Sequence, residues 1–351
     1  MQQTFFLGGI SANGFRSRFS EQIHAKGVYT YILKGGPGTG KSTLMKQIAA
    51  AFPEERVSLY YCASDPRSLD AVYLEDRGII VVDGTAPHVF EATYPLISQE
   101  LLNLGAFLDK AALQSHADAV LTCFQDNAQQ HQRARQYAQA ITAIHDDLDA
   151  IGSHALLRGK LNGFASRLAR RMLPRATGTV GLCTYAQLSA LTAQGYLTHP
   201  LPEGYRVVLI RDTLFAASGM LLQSLAAAAM ARGINCVLSE CFLTNDNVPE
   251  HLLLPDQQLA FLTANPCTNL QPEADVVINC TRFYDKELLT RKRQRVAFDR
   301  KASRTLTEEA AAAIATALRI HDTLESYYVH ALDFTAVNAA TAQLLEDIKA
   351  H

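Results

Sequence analysis

The sequence predicts an α/β protein with mostly parallel sheets, built twice in tandem. A β-branched and aromatic run, Val28–Lys34, passes through a glycine-rich turn straight into the helix-forming run Thr43–Ala51. A second copy of that order recurs at a nearly constant distance along the chain. A long stretch with helical character trails each copy. The 351 residues are 48% hydrophobic and 19% charged, enough apolar surface for two cores and too much for a disordered chain.

The N-terminal residues Met1–Gly9 carry no basic segment ahead of their short apolar run, so no signal peptide is predicted. No apolar stretch approaches the ~18 residues needed to cross a bilayer. Seven cysteines, an odd number with no C-x-x-C pair, indicate neither a disulfide framework nor a zinc ribbon. A cytoplasmic protein without membrane contact is the expectation. Lysine and arginine total 32 against 34 aspartate and glutamate, which argues against nucleic-acid binding by bulk charge.

Val28–Lys34 reads as a buried strand, and Gly35-Gly36-Pro37-Gly38-Thr39-Gly40-Lys41-Ser42-Thr43 follows it directly. A G-x-x-x-x-G-K-[ST] pattern between a strand and a helix is a phosphate-binding loop. Glycines 35, 38 and 40 let backbone N–H groups turn inward on phosphate oxygens, and the helix adds its positive dipole end. Lys41 is expected on the β- and γ-phosphates and Ser42 on a Mg²⁺ ion.

Such a loop needs a second metal-side carboxylate, and Gly78–Asp83 supplies one: four apolar residues, then Asp83 at the strand's C-terminal end. Val57–Cys62 reads as another strand and leads to Asp65 before Pro66. Asp65 and His88, in Gly84-Thr-Ala-Pro-His88, are the candidates for positioning a water or a substrate hydroxyl. Each also has a plain structural reading, as a turn or loop residue. Gly84, not glutamate, follows Asp83, so the water-activating group is left open.

At an offset of 176, 16 of the 67 positions in 102–168 are identical to those in 278–344. Ordinary composition gives about four or five by chance. Ile144-His-Asp-Asp-Leu-Asp149 answers to Ile320-His-Asp-Thr-Leu-Glu325, and Asp109-Lys110 to Asp285-Lys286. Domains are predicted over 1–175 and 176–351, with helical segments at about 96–172 and 283–349. Each α/β portion is expected to form its own three-layer αβα unit.

In the second copy Tyr205–Arg211 repeats the strand, but Asp212 replaces Gly35, Ala217 replaces Gly40, Ser218 replaces Lys41 and Gly219 replaces Ser42. Leu259–Leu262 repeats the Asp83 strand and ends in Thr263. The second half is therefore expected to keep the fold without the phosphate site.

Thr305 and Glu308 form a plausible capping box for the long second-half helix. Ala310–Ile320, alanine-rich and almost uncharged, is expected to be buried on several faces. His145, His154, His321 and His330 lack the i, i+4 zinc pattern and read as caps or interhelical bonds. The basic run Arg291–Arg304 offers phosphate contacts to a nucleic acid or a phosphorylated partner, but with Phe298 its sole aromatic, a solvated helix face is favoured.

The chain resembles a family of bacterial ATPase-like proteins built from two P-loop NTPase repeats. The resemblance rests on Phe5-Phe6, Gly14-Phe15, Leu33–Met45, Val82–His88 and His321–Tyr328. It implies ATP binding and Mg²⁺-dependent hydrolysis, and it names no protein or metabolite partner. In that family the second repeat also tends to carry a P-loop, and here it does not. A single-site ATPase is the leading expectation, with Arg206 or Arg211 as an arginine finger. A small-molecule kinase and a nucleotide-gated switch are the alternatives.

Overall fold

The computed structural model describes residues 2–86, 89–175, 178–245, 248–268 and 270–351. The first half runs β1 (Gln2–Phe6), β2 (Gly9–Ser11), β3 (Gly14–Arg16), α1 (Ser20–Ile23), β4 (Tyr29–Lys34) and α2 (Lys41–Ala51). It continues through β5 (Val57–Tyr61), β6 (Leu69–Leu74), β7 (Ile79–Asp83) and β8 (Gln99–Asn103) to α3 (Lys110–Gln114), α4 (Ala117–Ala155) and α5 (Arg158–Met172). The second half runs β9 (Cys183–Tyr185), β10 (Ser189–Thr192), β11 (Gly195–Thr198), β12 (Arg206–Arg211), α6 (Ala216–Met230) and β13 (Cys236–Glu240). Then come β14 (Pro249–Leu254), β15 (Leu259–Ala264), β16 (Val276–Asn279), α7 (Lys286–His330) and α8 (Phe334–Ala350).

Twelve of the strands form two six-stranded sheets, ordered β1-β5-β6-β7-β4-β8 and β9-β13-β14-β15-β12-β16, and β2-β3 and β10-β11 form two-stranded antiparallel hairpins. Position by position the two orders match. In each sheet a single strand, β6 or β14, runs antiparallel to both neighbours, and the other pairs are parallel. Gln99–Asn103, placed by the sequence in a helical tract, is strand β8 beside β4.

The expected three-layer αβα units are not what forms. Along β7, Ile79 and Val81 face a core shared with α2, whereas Ile80 and Val82 face a core shared with the second sheet. Along β15, Ala260 and Leu262 enter that same inter-sheet core, while Leu259 and Phe261 face α6. The sheets therefore stack face to face, with α2 and α8 on the outer face of the first, α5 and α6 on the outer face of the second, and the short α1 adding Ile23 to the layer between them. The reason lies in the connections. A sheet gains helices on both faces when each parallel crossover brings one, and the antiparallel β5-β6-β7 and β13-β14-β15 segments bring none.

The terminal helices are exchanged. Leu161 and Leu168 of α5 pack with Leu221, Leu225 and Ile234 of the second half. Leu344 and Ile348 of α8 pack with Leu44, Met45 and Ile48 of the first. Each crossing is tied by a matching pair of backbone bonds: Leu157 N to Phe283 O and Asp285 N to Ala155 O, both 2.8 Å, answered by Asp333 N to Phe107 O at 3.0 Å and Asp109 N to Ala331 O at 2.7 Å. Between the crossings α4 and α7 lie against each other, and small side chains (Ala134, Ala138, Ala310, Ala313) let them approach closely.

The helix starts follow from aspartate caps. Asp109 accepts from the amides of Ala111 and Ala112, and Asp285 from those of Glu287 and Leu288. Because α7 is unbroken from Lys286, Thr305 and Glu308 lie inside it and open no helix. Among the described residues no helix is long and apolar enough to cross a membrane.

Candidate functional site

The end of β4 delivers the chain to a loop whose shape glycine makes accessible. Gly38 and Gly40 have φ of +67° and +86°, a region that side-chain-bearing residues rarely adopt. Gly36 is needed for another reason: a Cβ there would stand 2.4 Å from Cε1 of Tyr328. Thr39, fully buried, donates 2.9 Å to Gly36 O and braces the turn. Helix α2 then begins at Lys41, aiming its N-terminal amides at the loop. Pro37 is half-buried within the loop, and Thr43 is exposed on the first turn of α2.

Lys41 Nζ folds back into the loop, donating 2.8 Å to Gly36 O and 3.3 Å to Gly35 O. It also lies 3.6 Å from Asp83 Oδ2. The other oxygen of Asp83 accepts from Thr85 N at 2.9 Å and Thr85 Oγ1 at 2.6 Å, which fixes the carboxylate at the sheet edge. Ser42 Oγ accepts from Leu69 N at 2.9 Å, joining α2 to β6. Because β4, β5 and β7 run in one direction, their C-terminal ends bring Gly35, Asp65 and Asp83 to the same edge.

Sequence reasoning missed Asp70, on β6 and buried beside these groups. Burial, and then the charge of Asp83, push its carboxyl well above the ordinary range; a hydrogen bond with Cys62 and the charge of Lys41 act in the opposite sense. Burial also raises the Cys62 thiol. A signal did exist. Strands β6 and β14 correspond at an offset of 180, which sets Asp70 against Glu250 and, one position less, Cys62 against Cys241. A search at 176 passes over this recurring Cys–acid pair.

Asp65 is engaged in its own turn. Burial tends to raise its carboxyl, but bonds from Arg67 and Ser68 outweigh that and hold it below the usual range. Arg67 Nε donates 2.7 Å to Asp65, and its Nη2 lies 3.4 Å from Asp322 of α7. His88 lies outside the described residues. Arg206 opens β12 and Arg211 closes it, at opposite ends of the strand.

From the second half, the C-terminal end of α7 covers the loop. A Cβ on Gly38 would stand 2.7 Å from Glu325 Cγ and 2.8 Å from Val329 Cγ2. His321, Asp322 and Glu325 each bring one ligand atom to within 4.8 Å of the others. With Asp322 paired to Arg67, this group links α7 to the turn after β5. Its first-half counterpart, His145, is buried and bonds Leu243 O at 2.9 Å and Ser303 Oγ at 2.8 Å, an interhelical role.

The equivalent loop of the second half is closed by its own side chains. Asp212 turns its carboxylate into the place of the cradle and accepts from Leu214 N at 3.0 Å and Ser218 N at 2.8 Å. Tyr284 Oη donates to the same carboxylate at 2.9 Å. Buried Leu214 and Phe215 fill the rest of the turn. Backbone amides that could receive an external anion are thus committed to an internal one.

Hard oxygen donors lie at the first edge: Ser42 Oγ, Asp83 Oδ2, which faces Lys41 Nζ at 3.6 Å, and the buried carboxyl of Asp70. That set suits Mg²⁺, which takes oxygen ligands and few from protein. No family model, curated protein or solved structure matches the chain.

Proposed function

We propose that the protein is an ATP-binding, Mg²⁺-dependent ATPase of the P-loop NTPase class, with one competent site in its first half and a second half that acts as a regulatory pseudo-repeat. The observation that carries this reading is the placement of Lys41, Ser42 and Asp83 around a glycine loop at the head of α2. Lys41 Nζ rests on loop carbonyls, where an incoming β- or γ-phosphate would take it over. Ser42 and Asp83 would hold Mg²⁺, which supplies charge neutralisation along the phosphate chain. The matching strand orders and matching Asp109 and Asp285 caps support duplication of one unit.

The nucleotide-gated switch draws on a separate observation, the packing of Tyr328, Glu325 and Val329 on the loop. A loop that reshapes around phosphate must move against α7. A kinase would use the same cradle with an acceptor hydroxyl in place of water.

The test is ATP binding and phosphate release by the purified protein beside Lys41→Ala and Asp83→Asn. Wild type is expected to bind and turn over ATP. Both variants should lose turnover by roughly a hundredfold or more, the scale of removing a group that stabilises transition-state charge. Binding without turnover would favour the switch or the kinase, and no binding would overturn the reading.

A further inference from the structure

A cavity with room for a small molecule lies in the half without a phosphate loop. It measures about 530 Å³ and opens at the C-terminal edge of the second sheet. One wall is the end of β12 and β15, with Thr213, Asn265 and Cys267; the other is α7, with Arg300, Lys301 and Arg304. Ligands of open α/β sheets bind in the crevice outside the carboxyl ends of the strands, and this cavity sits at that position relative to its sheet.

We propose that this cavity binds a small phosphorylated anion, with Arg300, Lys301 and Arg304 as the recognising cations. Positions 300, 301 and 304 fall on one face of a helix. None of the three forms an ion pair with a described residue, in contrast to Arg295, which is held by Asp147. Three cations against the single carboxylate of Glu308 leave the lining net positive, and a multiply charged ligand relieves the repulsion among them. The sheet side cannot supply the anion site itself. Asp212 occupies the amides of the second loop, and Asn265 spends its side chain on Glu250 and on the amides of Cys267 and Thr268. Burial lifts the Cys267 thiol to about 12, so it presents a neutral wall. Recognition therefore falls to α7. The concave shape and the lack of aromatic side chains in the lining favour a small ligand over a nucleic acid, which would need stacking platforms.

Inorganic pyrophosphate is a suitable probe, titrated calorimetrically into the Lys41→Ala protein so that the first-half loop contributes little. Arg300→Ala/Arg304→Ala is compared with Arg291→Ala/Arg293→Ala, which removes equal charge from the same helix outside the cavity. All four side chains are exposed, and circular dichroism checks that each variant is folded. The expected result is saturable one-to-one binding that weakens roughly tenfold or more in the first pair and less than about twofold in the second. Equal loss in both pairs would assign the effect to diffuse charge and overturn the proposal. So would no pyrophosphate binding in Lys41→Ala, or binding of a single-stranded oligonucleotide alone.

Discussion

Tyr328 and Gly152 stand 176 positions apart and trade size with the loops they face. Tyr328 is large where Gly36 is bare, and Gly152 is bare where the Leu214 backbone oxygen and the Cβ atoms of Leu214 and Ala216 close in. Gly36→Ala is therefore expected to destabilise the protein by about 1–3 kcal/mol through overpacking, and adding Tyr328→Ala should restore most of it. Gly152→Ala meets the backbone oxygen of Leu214 at 2.7 Å, so no single side-chain truncation opposite should rescue it. Thermal denaturation of the variants separates the two cases. Glu250 offers a pH-dependent test. Burial raises its carboxyl to about 7, although Asn265 and Tyr196 bond to it in the lowering sense. A carboxyl raised by folding gives stability that is full below its unfolded value of about 4.5 and is lost as pH rises through about 7. Glu250→Gln should remove that loss, on the order of 3 kcal/mol across the window, seen as a variant-minus-wild-type melting difference that grows from pH 4.5 to 7.5.

Among the elements, α7 shows best how local signals compete. Asp285→Ala is expected to cost about 1 kcal/mol, the usual worth of an N-cap. Thr305→Ala should change stability by less than about 0.5 kcal/mol, because Thr305 is an exposed residue inside the helix. Urea titration of the two variants checks the assignment. Much here was legible in the sequence. Strands β4, β5 and β7, helix α2 and the loop between them follow from apolar runs and glycine placement, and the Asp285 cap was present in the repeat as the partner of Asp109. Thr305–Glu308 misled because a capping box and an ordinary turn of helix share the same spacing. β8 was hidden because Gln99–Asn103 is half exposed at a sheet edge and lacks a β-branched run. Asp70 escaped because a buried acid at the start of a strand carries no local signal, and its role shows only when β6 lies beside β7.

At the level of the whole molecule, the sheet stacking and helix exchange were beyond pattern reading. Both depend on which distant surfaces meet, and α5 and α8 carry similar apolar stripes that could complete either core. Their crossing makes the halves mutually dependent. Residues 1–175 expressed alone would leave Leu44, Met45 and Ile48 without α8 and the apolar face of α5 without α6. That fragment is expected to be aggregated or only loosely folded, whereas coexpression with 176–351 should give a one-to-one complex on size-exclusion chromatography. A monomeric 1–175 fragment with a sharp melting transition would count against this dependence.

One length of helix connects the two sheet edges. Arg304, in the wall of the cavity, and Tyr328, on the glycine loop, lie on the same unbroken α7. Their 24-residue separation spans ~36 Å at 1.5 Å per residue. With no proline in α7 and small residues seating it along α4, the cavity wall and the cover of the glycine loop are two ends of one rigid element, so neither can be reseated without the same helix.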